Sequence, residues 1–146
     1  MSKAKRDGEA IEIYNSLIDK QGKQPEAYTY NNRGSVKSDL GQKQAAISDY
    51  DKAIAINPNF AEAYYNRGNA KSDLGQKHAA ISDYDKAIAI NPNYANAYNN
   101  RGSVKFELGQ KQGAISDLKK AAELFRQQNR MDDYQQAIGL IQKIQG

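Results

Sequence analysis

Three asparagines recur at an interval of 34 residues: Asn32, Asn66 and Asn100. A side-chain amide carries one acceptor oxygen and two donor hydrogens, so it can bond both the N–H and the C=O of an extended peptide. Asparagine is also a poor helix former, and the sequence shows no structural need for three copies. The spacing therefore predicts a ladder of amides that holds a peptide backbone. The alternative is a solvated residue that was copied with its repeat.

A second periodic pattern places an aspartate sixteen residues after each of three arginines: Arg33 and Asp49, Arg67 and Asp83, Arg101 and Asp117. A row of arginines could bind an anion. An ion pair between neighbouring helices is the simpler interpretation, because a carboxylate satisfies the guanidinium fork through two hydrogen bonds. We therefore predict structural ion pairs, and we expect Lys37, Lys71 and Lys105 to lie at the surface with extended side chains.

The composition argues against catalysis and against bound metals or cofactors. Cysteine is absent, and His78 is the only histidine, at a position that holds Gln44 and Gln112 in the related segments. Thiol chemistry and transition-metal sites are therefore not expected. The aspartates follow the repeat instead of clustering as in a calcium loop, and no nucleotide-binding glycine loop or serine–histidine–acid arrangement is recognisable. The sequence predicts a protein that is not an enzyme.

Charge and hydropathy restrict the classes of partner. The net charge is +4, and the only basic cluster comprises Lys3, Lys5 and Arg6, which is too short to indicate nucleic-acid binding. No run of about 20 apolar residues indicates a membrane helix. No apolar segment follows the basic N-terminus, as a secretory signal would require. We expect neither a nucleic acid nor a membrane as partner, and the absence of cysteine is compatible with the cytoplasmic location that we expect.

Internal repetition is the strongest feature of the sequence. Residues 27–60 recur as residues 61–94 with 27 of 34 positions identical, and again with more divergence as residues 95–128. Each unit is predicted to form two antiparallel helices. Gly68, in the middle of a first helix, is expected to face Ala80 on the second so that the two backbones can approach closely.

The second unit shows where its helices should begin and end. Asn59 is a good N-cap, and Glu62 three residues later would complete a capping box. Gly75 can adopt the left-handed conformation that stops the first helix. The second helix should end at Asn91, because Pro92 disfavours helical geometry at the residue before it.

These signals together resemble the tetratricopeptide repeat, a helix–turn–helix unit of 34 residues. In the second unit the following residues carry the resemblance: Tyr64, Gly68, Leu74, Gly75, Ala80, Tyr84, Ala87 and Pro92. The resemblance covers residues 27–128 and implies an all-α fold, a right-handed superhelical α-solenoid of antiparallel helix pairs. The sequence departs from the family pattern at Arg67 and Lys71 and at their equivalents, where large apolar and aromatic residues are usual.

The segments outside the three units are predicted to be helical as well. Residues 1–26 contain a tail and a packing helix at about residues 8–21, whose apolar spacing resembles the second helix of a preceding unit in a longer array. Residues 129–146 are expected to form a capping helix that begins at Asp132 or Asp133. The chain should therefore contain about eight helices.

The resemblance implies a concave wall built mainly from the first helix of each unit. The ligand-facing positions of the family map onto a polar set of candidate peptide-binding residues: Asn32, Asn66, Asn100, Asn31, Tyr65, Asn99, Ser35, Asn69, Ser103, Tyr28, Asp73 and Phe106. Some family members use lysines and an arginine on this wall to grip the C-terminal carboxylate of a chaperone. Asn31, Asn96 and Asn100 stand where those cations would be needed, so this mode is disfavoured.

The sequence leaves two functions open. The first is an adaptor that binds an extended segment of another protein in the concave groove. The alternative is a structural module whose exposed ends stack against copies of itself in a homo-oligomer, as the near-identical units and the N-terminal half-repeat suggest. RNA binding by a helical-repeat wall is disfavoured by the modest net charge and by Asp39, Asp73 and Glu107 on that wall.

Overall fold

The computed structural model describes residues 2–21 and 26–146. Within these ranges the chain forms eight α-helices and no strand, which confirms the predicted all-α class: α1 (Lys3–Lys20), α2 (Ala27–Asp39), α3 (Lys43–Ile56), α4 (Ala61–Asp73), α5 (Lys77–Ile90), α6 (Ala95–Glu107), α7 (Lys111–Gln127) and α8 (Met131–Gln145). We call α2, α4 and α6, the first helices of the three units, the A helices. The second helices, α3, α5 and α7, are the B helices.

The helices form an α-solenoid. Helices adjacent in the sequence pack against each other, most extensively the A and B helices within each unit, and the A helices also touch one another, α2 against α4 and α4 against α6. A helix pair of this length cannot bury enough apolar surface alone, so each unit depends on its neighbours for stability. The contacts between A helices place their exposed faces side by side in a continuous wall.

Contact between the A and B helices of a unit depends on a small residue on the A helix. A methyl group added at Gly68 would lie 2.9 Å from Cε1 of Tyr84 and 3.3 Å from the backbone oxygen of Ala80. Tyr84 and Ala80 are both buried in α5. The close approach predicted for Gly68 and Ala80 is therefore present, and the ring of Tyr84 fills the space beside it.

The A helices end in left-handed glycine turns, as predicted. Gly75 has a φ of +79°, its N–H donates to the carbonyl of Ser72 at 2.9 Å, and the N–H of Gln76 donates to the carbonyl of Lys71 at 2.8 Å. Two backbone carbonyls at the end of α4 are thereby satisfied. After α7 the left-handed position is taken by Asn129, with a φ of 58°.

The capping box predicted at the start of α4 is wrong. The residue at the N-cap position is Phe60, and no side chain caps the helix. Asn57 instead accepts a hydrogen bond from the backbone N–H of Asn59 at 3.1 Å. This local turn uses the asparagine before the proline to shape the loop, and α4 begins after it.

The two terminal helices also differ from the predicted bounds. Helix α1 begins at Lys3, five residues earlier than expected, because the side chain of Ser2 accepts a hydrogen bond from the N–H of Lys5. Helix α8 has Arg130 at its N-cap position, and the predicted capping aspartates lie in its first turn. Carboxylates there still interact favourably with the positive end of the helix dipole.

Candidate functional site

The wall formed by the A helices carries the asparagine ladder, and its amides join one A helix to the next. Nδ2 of Asn66 donates to Oδ1 of Asn31 at 3.0 Å and to Oγ of Ser35 at 3.3 Å. Both acceptors lie on α2, whereas Asn66 lies on α4. The Asn66 amide therefore fixes the packing of the first unit against the second.

Asn100 makes the equivalent contacts one unit further along. Its Nδ2 donates to the hydroxyl oxygen of Tyr65 at 3.0 Å and to Oδ1 of Asn69 at 2.9 Å, both on α4. The amide hydrogens of Asn66 and Asn100 are thus bound within the protein. In this conformation an incoming peptide can use these two amides only as hydrogen-bond acceptors. For the amides also to donate to a peptide carbonyl, as predicted, their hydrogen bonds within the protein would have to break.

Asn32, the first member of the ladder, forms no hydrogen bond through its side chain to any part of the chain that the structure describes. Its two successors are held by the A helix of the preceding unit. The three asparagines share a position in the repeat, but their surroundings differ at the N-terminal end of the array.

Several other predicted peptide-binding residues are partly or fully enclosed. Asn31 is only 1% exposed, so its assignment as a contact residue is wrong. It orients Asn66 and donates to Glu62 at 3.4 Å. Phe106 packs against the core between α7 and α8. By contrast, Tyr28 is 51% exposed.

The hydroxyl and amide groups near the ladder positions form hydrogen bonds mainly with other groups of the A helices. Ser35 donates to the carbonyl of Asn31, and Ser103 donates to the carbonyl of Asn99, both at 3.1 Å. The side chain of Asn99 donates to Oδ1 of Asn100 at 3.4 Å. These bonds hold the polar rows in fixed positions along the A helices.

Three tyrosines are grouped where α4, α5 and the following loop meet. The ring centroid of Tyr65 lies 4.9 Å from that of Tyr94 and 6.1 Å from that of Tyr84. The hydroxyl of Tyr84 donates to Oδ1 of Asn69 at 2.6 Å. Burial, which disfavours the phenolate, is the main reason that the pKa values of Tyr84 and Tyr94 are raised.

Among the residues that the structure describes, two cavities open on the A-helix wall, one at each junction between units. The first cavity has a volume of about 240 Å³ and is lined by Ser35, Ser38, Asp39, Lys43, Tyr50, Asn66, Asn69 and Asp73. The second cavity has a volume of about 350 Å³ and is lined by Asn69, Ser72, Asp73, Tyr84, Asn100, Ser103, Val104 and Glu107. The predicted ladder and the acidic positions therefore meet around the same two openings.

Lysines on the B helices contact the acidic residues at the ends of the A helices. Nζ of Lys43 lies 2.9 Å from Oδ2 of Asp73 and donates to Oγ of Ser38 at 3.0 Å. Lys77 forms the equivalent ion pair with Glu107. The carboxylates of Asp73 and Glu107 remain about half exposed, so they are accessible from the groove.

The arginines predicted to form ion pairs each contact a buried aspartate. In the second unit, Nε and Nη2 of Arg67 donate to the two carboxylate oxygens of Asp83 at 2.9 and 2.7 Å. These bonds are the main reason that the pKa of Arg67 is raised. The arginines are turned away from the wall, so they do not form an anion-binding row on it.

The expectation that the lysines four residues after these arginines lie at the surface is wrong. Nζ of Lys71 lies 3.0 Å from Oδ2 of Asp83. Residues four apart share one face of a helix, so Lys71 follows Arg67 onto the same carboxylate. The same three-residue clusters recur in the other units: Arg33, Lys37 and Asp49; Arg101, Lys105 and Asp117.

A second contact of each arginine was not anticipated from the sequence. Nη1 of Arg67 donates to Asp51 on α3, and Nη1 of Arg101 donates to Asp85 on α5, both at 2.8 Å. Arg33 makes the same contact with Asn15 on α1. The signal was available, since Asp51 and Asp85 also recur at 34 residues, two positions after Asp49 and Asp83.

No group of three or more metal-binding side chains is assembled within residues 2–21 and 26–146. Of the eight helices described, none combines the length and the apolar character needed to cross a membrane.

Comparison with known families gives three overlapping matches along the array. Residues 34–75 match a family described as TPR repeat, and residues 61–94 and 83–116 match families described as Tetratricopeptide repeat. Together the matches extend over residues 34–116, more than half of the chain. No curated protein sequence matches the chain.

Solved structures with the same fold include one described as MamA protein, with a TM-score of 0.77 and 28% identity over 99% of this chain and 78% of that chain. The first TPR domain of Spaghetti (RPAP3), bound to the HSP90 peptide SRMEEVD, has a TM-score of 0.67 and 28% identity over 78% of this chain and 94% of that one. The structure described as "TPR2B-domain:pHsp70-complex of yeast Sti1" has a TM-score of 0.78 and 24% identity over 82% of this chain and 95% of that chain. The last likeness concerns the fold alone.

Proposed function

This chain belongs to the tetratricopeptide repeat family, and we propose that it is a protein-interaction module whose A-helix wall binds an extended segment of another protein. The observation that carries the proposal is the pair of polar cavities at the two junctions between units. Both open beside a ladder asparagine whose hydrogens are bound internally. An extended chain laid along the wall would meet a ladder asparagine, a tyrosine and two acidic residues at each junction.

The side-chain carbonyl oxygens of Asn66 and Asn100 support binding through the peptide backbone, because each keeps acceptor capacity even though that of Asn100 already accepts from Asn99 at 3.4 Å. Peptide N–H groups are obligatory donors that need a partner when they leave water. A side-chain oxygen held in a fixed orientation offers that partner without a further loss of rotamer freedom. In this proposal the ladder accepts from backbone N–H groups, and the cavities receive the ligand's side chains.

The structural relatives support an interaction role in general terms. The domain of Spaghetti is described as bound to an HSP90 peptide. That peptide, SRMEEVD, ends in acidic residues, whereas this wall has Asn31, Asn96 and Asn100 at the positions expected of clamp cations. The proposed partner is therefore a different polypeptide segment.

The test must close the groove without removing the bonds that join the units. Ser38 and Ser72 occupy equivalent positions and line the first and second cavities. We expect the double variant Ser38→Tyr/Ser72→Tyr to fill both cavities and to lose proteins that the wild type captures from a cell lysate. The matched control is Ser82→Tyr/Ser116→Tyr, at exposed positions on B helices. If the two double variants capture the same proteins as the wild type, the groove is not the binding site.

Self-association is the second candidate, because helix α1 exposes apolar side chains. Ile13 is 61% and Leu17 is 38% exposed, and no residue of α1 is buried. A second copy of the chain could cover this face. The candidate predicts a mass in solution above 16.2 kDa that rises with concentration and returns to the monomer value in Ile13→Gln/Leu17→Gln. A monomer mass for the wild type at all concentrations would exclude it.

A further inference from the structure

The second cavity has an unusual charge for a protein of net charge +4. Its lining includes the carboxylates of Asp73 and Glu107 and no lysine, arginine or histidine. The other lining residues are Val104 and uncharged polar residues, namely asparagine, serine and tyrosine. The lining of the cavity is therefore acidic, and the two lysines that pair with these carboxylates, Lys43 and Lys77, lie outside it.

The basic residues of the neighbouring A helix cannot neutralise this cavity. Arg67 and Lys71 on α4 are both bound to Asp83 on α5. The charge of the acidic residues also affects the pKa of a tyrosine within the wall. Burial is the main cause of the raised pKa of Tyr84, but the charge of Asp73 contributes in the same direction.

Hydrogen-bonding capacity points the same way as charge. The N–H groups of the Asn100 side chain are used by Tyr65 and Asn69. The hydroxyl of Tyr84 donates to Asn69, and that of Ser103 donates to its own helix. What remains available to a ligand is dominated by acceptor oxygens, so the cavity complements a side chain rich in donors.

The chain itself shows that these acidic positions accept a cationic side chain. Lys43 places its ammonium group against Asp73 and Ser38 in the first cavity, and Lys77 pairs with Glu107. Lys3 reaches within 3.7 Å of Asp39 on the same wall. Three successive acids thus each hold a lysine from a preceding helix.

From these observations we propose that the groove selects an extended segment carrying lysine or arginine side chains, one of which enters the second cavity between Asp73 and Glu107. This inference rests on the proposed function of the groove. The incoming cation exchanges with Lys43 and Lys77 at the two carboxylates, while the ligand backbone donates to the ladder oxygens. A segment rich in glutamate or aspartate is rejected because it would place like charges together.

The experiment uses three pools of short fluorescent peptides with capped ends, so that no terminal charge contributes. The pools share small polar residues at alternate positions and differ only in carrying lysine and arginine, glutamine, or glutamate at the others. Fluorescence anisotropy with the full chain should show the tightest binding for the basic pool and the weakest for the acidic pool. The preference should decline as salt is added, because screening weakens partly exposed ion pairs.

Single-residue variants then test whether the preference for basic peptides arises at Asp73 and Glu107. Asp73→Asn and Glu107→Gln should each weaken binding of the basic pool about fivefold, the loss expected when one partly exposed ion pair is removed, and should weaken binding of the glutamine pool by less. The matched control is Glu123→Gln, an exposed acid on α7 that bonds only within its own helix. Helicity by circular dichroism should be the same in all three variants.

The outcomes separate this inference from the proposed function. If the basic and glutamine pools bind equally, and Ser38→Tyr/Ser72→Tyr abolishes both, the peptide groove stands and the cation preference is refuted. If the cavity-filling variant changes the binding of no pool, both the cation preference and the groove itself are refuted. A Glu123→Gln variant that loses the basic pool as strongly as Glu107→Gln would show a general charge effect, which also overturns the inference.

Discussion

Asp83 and Arg67 form a two-bond ion pair between α5 and α4, with Nε–Oδ2 and Nη2–Oδ1 distances of 2.9 and 2.7 Å. The carboxylate side chain is only 5% exposed, and it binds Lys71 as well. Two cations therefore share one buried anion in each unit. Arg67 also reaches Asp51 on the preceding B helix, so the same guanidinium connects two units.

Removal of this carboxylate charge should be costly. Asp83→Asn leaves Arg67 and Lys71 without their buried anion, and we expect a loss of about 3–5 kcal/mol in the free energy of unfolding, measured by urea titration with circular dichroism. The control is Asp85→Asn, which removes a carboxylate that is 56% exposed and pairs with Arg101. That change should cost at most about 1 kcal/mol. Equal losses for the two variants would contradict a special role for the buried cluster.

The asparagine ladder should contribute unequally to stability. Asn100→Ala removes hydrogen bonds to Tyr65 and Asn69, so we expect a loss of about 1–3 kcal/mol in the free energy of unfolding. Asn32→Ala removes no side-chain bond within the described residues and should leave stability almost unchanged. The same urea titration measures both variants. A large loss for Asn32→Ala would mean that its amide has a structural partner that the contacts do not show.

Two glycines within helices should have opposite effects on the free energy of unfolding when each is changed to alanine. At Gly68 the new methyl group would lie 2.9 Å from the buried ring of Tyr84, so Gly68→Ala should destabilise the protein by about 1–3 kcal/mol. At Gly139 nothing lies within 4 Å, and Gly139→Ala in α8 should stabilise by up to about 1 kcal/mol through helix propensity. Thermal unfolding followed at 222 nm checks both. A stabilised Gly68→Ala variant would refute the close packing of α4 on α5.

Stability should fall in alkaline solution. Tyrosine in an unfolded chain ionises near pH 10, whereas burial raises the pKa of Tyr84 in the folded state. Above about pH 10 the unfolded state releases this proton while the folded state keeps it, so stability is complete below that pH and declines as pH rises. Urea midpoints measured across this range should decline less steeply for Tyr84→Phe than for the wild type. Parallel declines would show that Tyr84 does not contribute.

The candidate site could be predicted from the sequence only in part. The 34-residue interval located the ladder positions, but Asn31 occupies a predicted contact position and is buried. Adjacent helical residues point about 100° apart, so a small rotation of α2 against α4 decides which of them faces the groove. That rotation depends on side chains contributed by the neighbouring unit.

Lys71 shows a second limit of prediction from the sequence. Its sequence position suggested a surface lysine, and the structure places its ammonium group on Asp83. The four-residue offset from Arg67 indicated a shared face, but the distance from that face to the carboxylate depends on how closely the helices pack. Gly68 sets that approach, together with Tyr84 and Ala80.

The sequence by itself determined the number and order of the helices, the repeat interval and the positions of the glycine turns, because apolar periodicity, proline and left-handed glycine act through local backbone geometry. Only the tertiary structure decided which polar groups remain available on the A-helix wall. Asn66 and Asn100 could have directed their amide hydrogens to a ligand, and packing of one unit on the next directs them to α2 and α4 instead. Hydrogen-bond partners separated by more than 30 residues depend on the relative placement of whole helices, which no local pattern specifies.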